Sequence, residues 1–404
     1  MADWKEYKLG DFADIQTGPF GSQLHAADYV LNGIPSIMPT NIGSRLNIVT
    51  DDIVCITEKD AERLKRYTVR SGDIVYSRRG DVEKCAFITS EQNGWLCGTG
   101  SLRIRFISKE IEPKFCAYYL STPAIKSWVL NNSVGSTMPN LNSTILSNLP
   151  LQLPPLPEQQ AIAEVLSSLD DKIDLLHRQN KTLEALAETL FRQWFIEEAK
   201  ESWETKPLEQ LCTITRGASP RPIIEYVKNG TVPWIKIADA TGSNTFFIDN
   251  TKEFIIESGV DKSVKVSYGD LILSNSATCG LPYFVEIEGC IHDGWLLFRD
   301  FKEISKFYAF FFLKQINREL NNFADGSVQN NLNTGILKEY PVNVPPENLV
   351  KKFDEEAGIF VDKIKRNIYQ IRSLTTLRDT LLPKLMSGEV RVNINEAETA
   401  IANQ

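Results

Sequence analysis

Arg63, Lys65, Arg66, Arg70, Arg78 and Arg79 crowd a stretch between 63 and 79 in which Asp73 is the only acid, and Lys84 follows shortly after. A second, thinner group is Arg216, Arg221, Lys228 and Lys236, with only Glu225 among them between 214 and 236. Local cationic excess of this kind suits phosphate contact and, for arginine, bidentate readout of guanine. It also suits a plain solvated face. Arg78 and Arg79 are the sharpest candidates. They leave an apolar run, DIVYS, just before Gly80, so they sit where a strand passes into a loop. The competing use for either is an internal ion pair with Asp73 or Asp81. At the corresponding place further along stand Asn275 and Ser276, after DLILS. Asparagine pairs well with adenine N6 and N7, so two different readouts are expected.

Other chemistry finds little support. The seven cysteines stand singly, without a C-x-x-C, and three histidines are too few for the usual zinc sets. We expect reduced core thiols and no metal. There is no G-x-x-x-x-G-K-[ST] phosphate loop and no [DNS]-P-P-[FYW] amino-methyltransferase motif. Glu6-Tyr7-Lys8 has the E-x-K spacing of a nuclease fragment, with nothing around it to complete a site. His25, His177 and His292 read as structural or surface residues. No run of about 18 apolar residues suggests a membrane span, and MADWKEYKLGDF lacks an apolar signal core, so a cytoplasmic protein is expected. The composition, 42% hydrophobic and 24% charged over 404 residues, is globular; the net charge of −8 argues against a free-standing nucleic-acid binder.

What must position these residues is a duplicated unit. SVGSTMPNLNSTILSNLPLQLPP (133–155) aligns with ADGSVQNNLNTGILKEYPVNVPP (324–346). Gly135 matches Gly326, Leu141-Asn142 matches Leu332-Asn333, and Pro154-Pro155 matches Pro345-Pro346, all at an offset of 191. Upstream, Trp4, Leu9 and Gly18 match Trp203, Leu208 and Gly217 at 199; Gly72-Asp73 matches Gly269-Asp270 at 197; Phe115 and Ala117 match Phe307 and Ala309 at 192. Ordered blocks with a slowly shrinking offset mean one fold used twice, with small length changes in loops. Each copy begins with a β-like part and ends in a leucine-spaced helix. The expected divisions are 1–156, 157–200, 201–346, 347–391 and a tail, 392–404.

The helices carry heptads. In the first, Ile162, Leu169, Leu176, Leu183 and Leu190 take one seam position, and Leu166, Ile173, Asn180, Ala187 and Trp194 the other. In the second, Phe353, Phe360, Asn367, Leu374 and Leu381 alternate with Ala357, Ile364, Ile371, Arg378 and Leu385. Pro383 is expected to interrupt its last turns and Gly388 to stop it. About 40 residues of helix span about 60 Å, too long for the interior of one small domain, so mutual pairing is expected.

The segment LPPLPEQQAIAEVLSSLDDKIDLLHRQNKTLEALAETLFRQWF (153–195) resembles the central conserved region of type I restriction-modification specificity subunits, and LRDTLLPKLMSGEVRV (377–392) the distal one. QTGPFGSQL (16–24) and GDIVYSRRGDVEKCAF (72–87) are similar to segments of that family's target recognition domains. The resemblance implies an α+β fold: two repeated mixed α/β target recognition domains separated by two long antiparallel coiled-coil helices. It implies that each domain reads one half of a bipartite double-stranded DNA target. It implies a non-catalytic chain that docks two methyltransferase subunits and, in restriction, motor-nuclease subunits. No cofactor belongs to the chain itself; S-adenosylmethionine belongs to the methyltransferase, and ATP and Mg to the restriction subunit. An antiparallel coil would set Asn180 against Asn367, since the latter is equivalent to position 176 and the two centre on 178. The alternatives are a coiled-coil scaffold that binds only protein, which leaves the two basic stretches unexplained, and the recognition part of a self-contained restriction-methylation enzyme, whose catalytic motifs are missing.

Overall fold

The computed structural model describes residues 4–135, 138–241, 245–276, 279–320, 332 and 334–392. Gly326 and Asn333 of the repeat, and the tail beyond 392, lie outside the described residues.

The Gly-Asp turns organise both copies. Gly72 and Gly269 have φ of +91° and +80°, a conformation that only glycine adopts without strain. Each turn feeds a wholly buried strand, Ile74–Ser77 and Leu271–Ser274. In the first copy the sheet order is Ala13–Thr17, Ser101–Phe106, Ile74–Ser77, Cys85–Phe87, antiparallel throughout. The second copy repeats it as Thr213–Arg216, Trp295–Arg299, Leu271–Ser274, Pro282–Val285, and adds Phe247–Ile248 in parallel at the edge. A smaller sheet recurs too. Its shared core is Cys55–Ile56, Ile34–Ile37, Leu96–Cys97 in one copy and Phe254–Ile255, Val232–Ile235, Gly289–Ile291 in the other. A two-stranded ribbon closes each copy: Lys5–Lys8 with Pro150–Leu153, and Glu204–Pro207 with Pro341–Val344.

Beneath each turn the aspartate does the same work. Asp73 accepts two bonds from Arg105, 2.8 and 2.6 Å, and one from the Arg70 amide, 2.8 Å. Asp270 accepts two from Arg299, 3.0 and 2.5 Å, and one from the Ser267 amide, 2.7 Å.

The central helix runs Leu156–Arg192 and the distal helix Glu347–Met386. Each follows a Pro-Pro pair, which cannot itself continue a strand ladder but suits a helix start. The expected interruption at Pro383 does not occur. Proline there removes one internal amide bond near the end of the helix, which continues to Met386; Gly388, at φ +69°, then stops it.

Packing divides the chain differently from the boundaries expected between β-like parts and helices. One compact unit comprises Met1–Asp174 with Ile371–Gln404, the other Leu175–Gln370. In the first, Ile162, Ala163, Leu166, Leu385 and Met386 share a core with Phe115, Leu120 and Leu151. In the second, Ala187, Phe191, Phe195, Phe353, Ala357, Val361 and Ile364 share one with Tyr308, Phe310 and Phe311. Burying such side chains contributes about 1.5–3 kcal/mol each, so the helices are built into the domain cores.

The helices are antiparallel in both units. In the second unit Phe353 meets Phe191, with ring centroids 5.7 Å apart, and fourteen residues on Asn367 meets Asn180. In the first, Arg378 meets Asp170, while Leu385 lies in the cluster that holds Ile162. Of the seam, Ile162, Ile173, Leu176, Asn180, Ile364 and Asn367 are buried; Leu169, Leu183, Leu190, Phe360, Ile371, Leu374 and Leu381 are half-buried. The two amides meet directly: Asn367 Nδ2 donates to Asn180 Oδ1 at 2.8 Å.

Candidate nucleic-acid interface

In the first unit the loop Gly18–Leu24 leaves the sheet where its backbone nearly touches a neighbour. A Cβ on Gly18 would lie 2.1 Å from the Gly98 carbonyl oxygen, so no other residue fits. Gly217, its counterpart, would meet the His292 carbonyl oxygen at 2.1 Å. Glycine here is demanded by backbone approach.

This loop gathers the basic residues. The Arg78 guanidinium lies 5.9 Å from the Phe20 ring centroid, within cation–π range, and Phe20 is 57% exposed. Arg63 Nη1 donates to the Gln23 carbonyl at 2.7 Å. Tyr67 Oη donates to Gln23 Oε1 at 2.6 Å, and Arg66 lies over the Tyr67 ring, 4.5 Å away. Arg63 and Arg78, from two separate segments, therefore contact this loop directly, and Arg66 joins it through Tyr67.

The rival ion pair for Arg78 or Arg79 is not made. Asp73 is taken by Arg105, and Asp81 by Lys84 at 2.5 Å. Among the described residues the half-buried Arg78 leaves Nε without a partner. Arg79 and Arg70 are exposed. Arg63 also pairs with Asp60 at 2.8 Å, and Lys65 with Glu62 at 2.6 Å. Exposed pairs of this sort are worth at most about 1 kcal/mol, so a phosphate can replace the carboxylate.

The second unit builds the same loop differently. Asp293 stands at its centre. Ser219 Oγ donates to its carboxylate at 2.6 Å, Arg221 approaches at 3.5 Å, and Arg216 Nε donates to the Asp293 carbonyl at 3.1 Å. The Ser219 bond, chiefly, holds the Asp293 carboxyl below its usual range. Lys236 is paired with Glu253 and lies 5.8 Å from the Trp234 ring. His292 accepts the Gly294 amide at Nδ1, 2.6 Å, and burial lowers its pKa, which keeps it neutral.

Asn275 is a correction. It is 1% exposed, its amide N–H bonds the Gly294 carbonyl, and its carbonyl accepts from Leu332. A buried side chain offers nothing to a base edge, so Asn275 does not serve as a direct reader. Ser276 beside it is half-buried. Arg78, at the equivalent position, keeps its tip near the loop because the side chain is long enough to leave the sheet.

Sequence reasoning missed Gln23, Tyr67, Ser219 and Asp293. Tyr67 interrupts the basic stretch and was visible as an aromatic among cations. Asp293 was not, since it lies 72 residues beyond Arg221 and only the fold brings them together.

All seven cysteines are free and buried. Among the described residues no group of three His, Cys, Asp or Glu side chains could hold a metal, and no helix is long and apolar enough to cross a membrane.

Comparison with known proteins accounts for this architecture. The family model described as type I restriction modification DNA specificity domain matches twice, at residues 1–185 and 200–370. The chain belongs to the specificity subunits of type I restriction-modification systems. It is 23% identical to the Type I restriction enzyme HindI specificity subunit of Haemophilus influenzae, over 96% of this chain and 100% of that one. It is 24% identical to the MjaIX specificity subunit of Methanocaldococcus jannaschii, over 96% and 94% respectively. Its fold is similar to the crystal structure of a type I S subunit from M. genitalium, at a TM-score of 0.64 and 17% identity, over 95% of this chain and 96% of that one. DNA recognition is the role of this family, and its members are in general non-catalytic.

Proposed function

We propose that this chain reads a bipartite double-stranded DNA target, one half with each copy of the repeated unit, and that its two long helices set the spacer and dock two methyltransferase subunits. The observation that carries the proposal is the loop built twice on the same glycine-tethered frame. Around Gly18–Leu24 it gathers Phe20, Arg63, Arg66 and Arg78; around Gly217–Pro222 it holds Arg216 and Arg221 on Asp293. Different side chains on one frame suit two different half-sites.

On this reading the chain works in the cytoplasm and carries no cofactor. S-adenosylmethionine enters with the methyltransferase, which modifies adenine N6, and ATP and Mg enter with motor-nuclease subunits. The net charge of −8 makes the isolated chain a weak DNA binder, and the methyltransferase completes a tight site.

The test is long-read methylation mapping in cells expressing the chain with its methyltransferase. One bipartite motif should carry N6-methyladenine in both halves. Arg78→Ala with Arg79→Ala should alter or abolish the requirement in one half only, and Arg216→Ala with Arg221→Ala in the other only. In purified complexes, each lost phosphate contact should lower the log–log salt slope by about one. A motif unchanged by both double variants would overturn the assignment of these loops.

A further inference from the structure

The repeat offset allows each buried polar contact to be compared with its counterpart. In the first unit Asp170 lies between two donors: Tyr118 Oη at 2.8 Å and Arg378 Nη1 at 2.8 Å. Asp170 and Arg378 are only 17% and 14% exposed. The offsets of 191 and 192 make Val361, Ala187 and Phe310 the counterparts of Asp170, Arg378 and Tyr118. All three lie in the apolar core of the second unit, at 4%, 1% and 0% exposure. The same place is a charged triad in one copy and an apolar one in the other.

The asparagine pair is equally one-sided. Asn180 meets Asn367, whereas the counterparts of these positions are Ile371 and Leu176. Asp170, Arg378, Asn180 and Asn367 therefore each have a partner on the other half of the chain, and the place equivalent to that partner in their own half is apolar.

We propose that these two contacts make the helices select the opposite half of the chain and reject a second copy of their own half. Each compact unit already draws its helices from both halves. If residues 1–199 of two molecules paired with each other, Asp170 would face Ala187, with only the Tyr118 hydroxyl beside it, and Asn180 would face Leu176. If two copies of 200–404 paired, Arg378 would face Val361 and Phe310, retaining only its neighbour Asp379, and Asn367 would face Ile371. By symmetry each defect would occur twice. Buried charges and amides stripped of partners are strongly unfavourable, while the apolar triad tolerates either arrangement. A single buried polar pair is a known means of fixing which helices associate. The occupant selected here is the other half of the same chain.

The test uses the full chain, carrying a protease site within 198–203 and cleaved after folding, so that both halves remain present. Native mass spectrometry follows the two halves during long incubation. The mixed pair should persist, with either like pair below about one part in a hundred. The same cleaved chain carrying Tyr118→Phe, Asp170→Val, Arg378→Ala, Asn180→Leu and Asn367→Leu should form like pairs. Exchanging the charges instead, Asp170→Arg with Arg378→Asp, should keep the mixed pair and so separates pairing choice from loss of fold. Like pairs in statistical proportion from the unmutated chain would overturn the proposal. So would a five-fold variant that folds, by circular dichroism, and still forms only mixed pairs.

Discussion

Asp73 offers the most direct measurement of how the frame holds the candidate interface. Its carboxylate is 3% exposed and accepts both Arg105 nitrogens, at 2.8 and 2.6 Å, as well as the Arg70 amide that closes the Gly-Asp turn. Removing the carboxylate leaves the Arg105 guanidinium with only the Thr68 carbonyl, at 3.0 Å, and the Arg70 amide without its acceptor, beneath the strand that delivers Arg78. Breaking a fully buried pair costs about 3–5 kcal/mol, but Arg105 keeps 23% exposure and water can reach it, so about 3 kcal/mol is the expected cost of Asp73→Ala. The same change at Asp270 should cost less, about 1–2 kcal/mol, because Asp270 is 14% and Arg299 41% exposed. Urea unfolding read by hydrogen exchange on peptides from Ile74–Ser77 and Leu271–Ser274 separates the two units. A double-mutant cycle with Arg105→Met supplies the pair's coupling. Additive effects in that cycle, or a larger loss at Asp270 than at Asp73, would refute the reasoning.

Three further outcomes are expected. One matched heptad inserted in each long helix adds about 10 Å and should lengthen the methylated motif's spacer by about three base pairs; an unchanged spacer would assign spacing to the recognition units. The lowered pKa of His292 means that its neutral form is favoured by folding, so the second unit should be fully stabilised above the ordinary histidine value near 6.5 and lose stability as pH falls below it. Hydrogen exchange at pH 7.0 and 5.0 measures this, and His292→Gln should flatten the difference. Burial pushes the Cys85, Cys97 and Cys212 thiols up to about 12, and all seven are buried, so a thiol reagent at pH 8 should label the native chain slowly and completely only in denaturant.

The frame was legible in the sequence because its constraints are local. Gly72-Asp73 and Gly269-Asp270 announce a turn whose positive φ only glycine meets easily, and leucine at heptad spacing announces a seam. The Asn180–Asn367 contact followed from the repeat offset once the helices were taken as antiparallel. What escaped depends on neighbours distant in the chain. The acid in the basic stretch, Asp73, suggested a partner for Arg78 or Arg79, yet Arg105 takes it from the next strand of the sheet. Asn275 looked like a loop residue after an apolar strand, but Gly294 and Leu332 enclose its backbone. Pro383 read as a break, although one missing amide close to a helix end is tolerated.

Around the candidate interface the two copies agree where the backbone leaves no choice and differ in the side chains of the loop. Gly18 and Gly217 are fixed by a carbonyl that no Cβ could clear, and Asp73 and Asp270 by a turn amide and an arginine. One step along the same loop, Phe20 of the first copy corresponds to Ser219 of the second, and Ser22 to Arg221. The acid that binds Ser219 and Arg221, Asp293, has no acid at the aligned position near Cys97–Thr99. Substitution at these loop positions touches neither the glycine that fixes the loop's departure from the sheet nor the carboxylate that closes the Gly-Asp turn. On the proposed reading, stability and readout rest on different residues, so the readout of one copy could change without altering its own frame or the other copy.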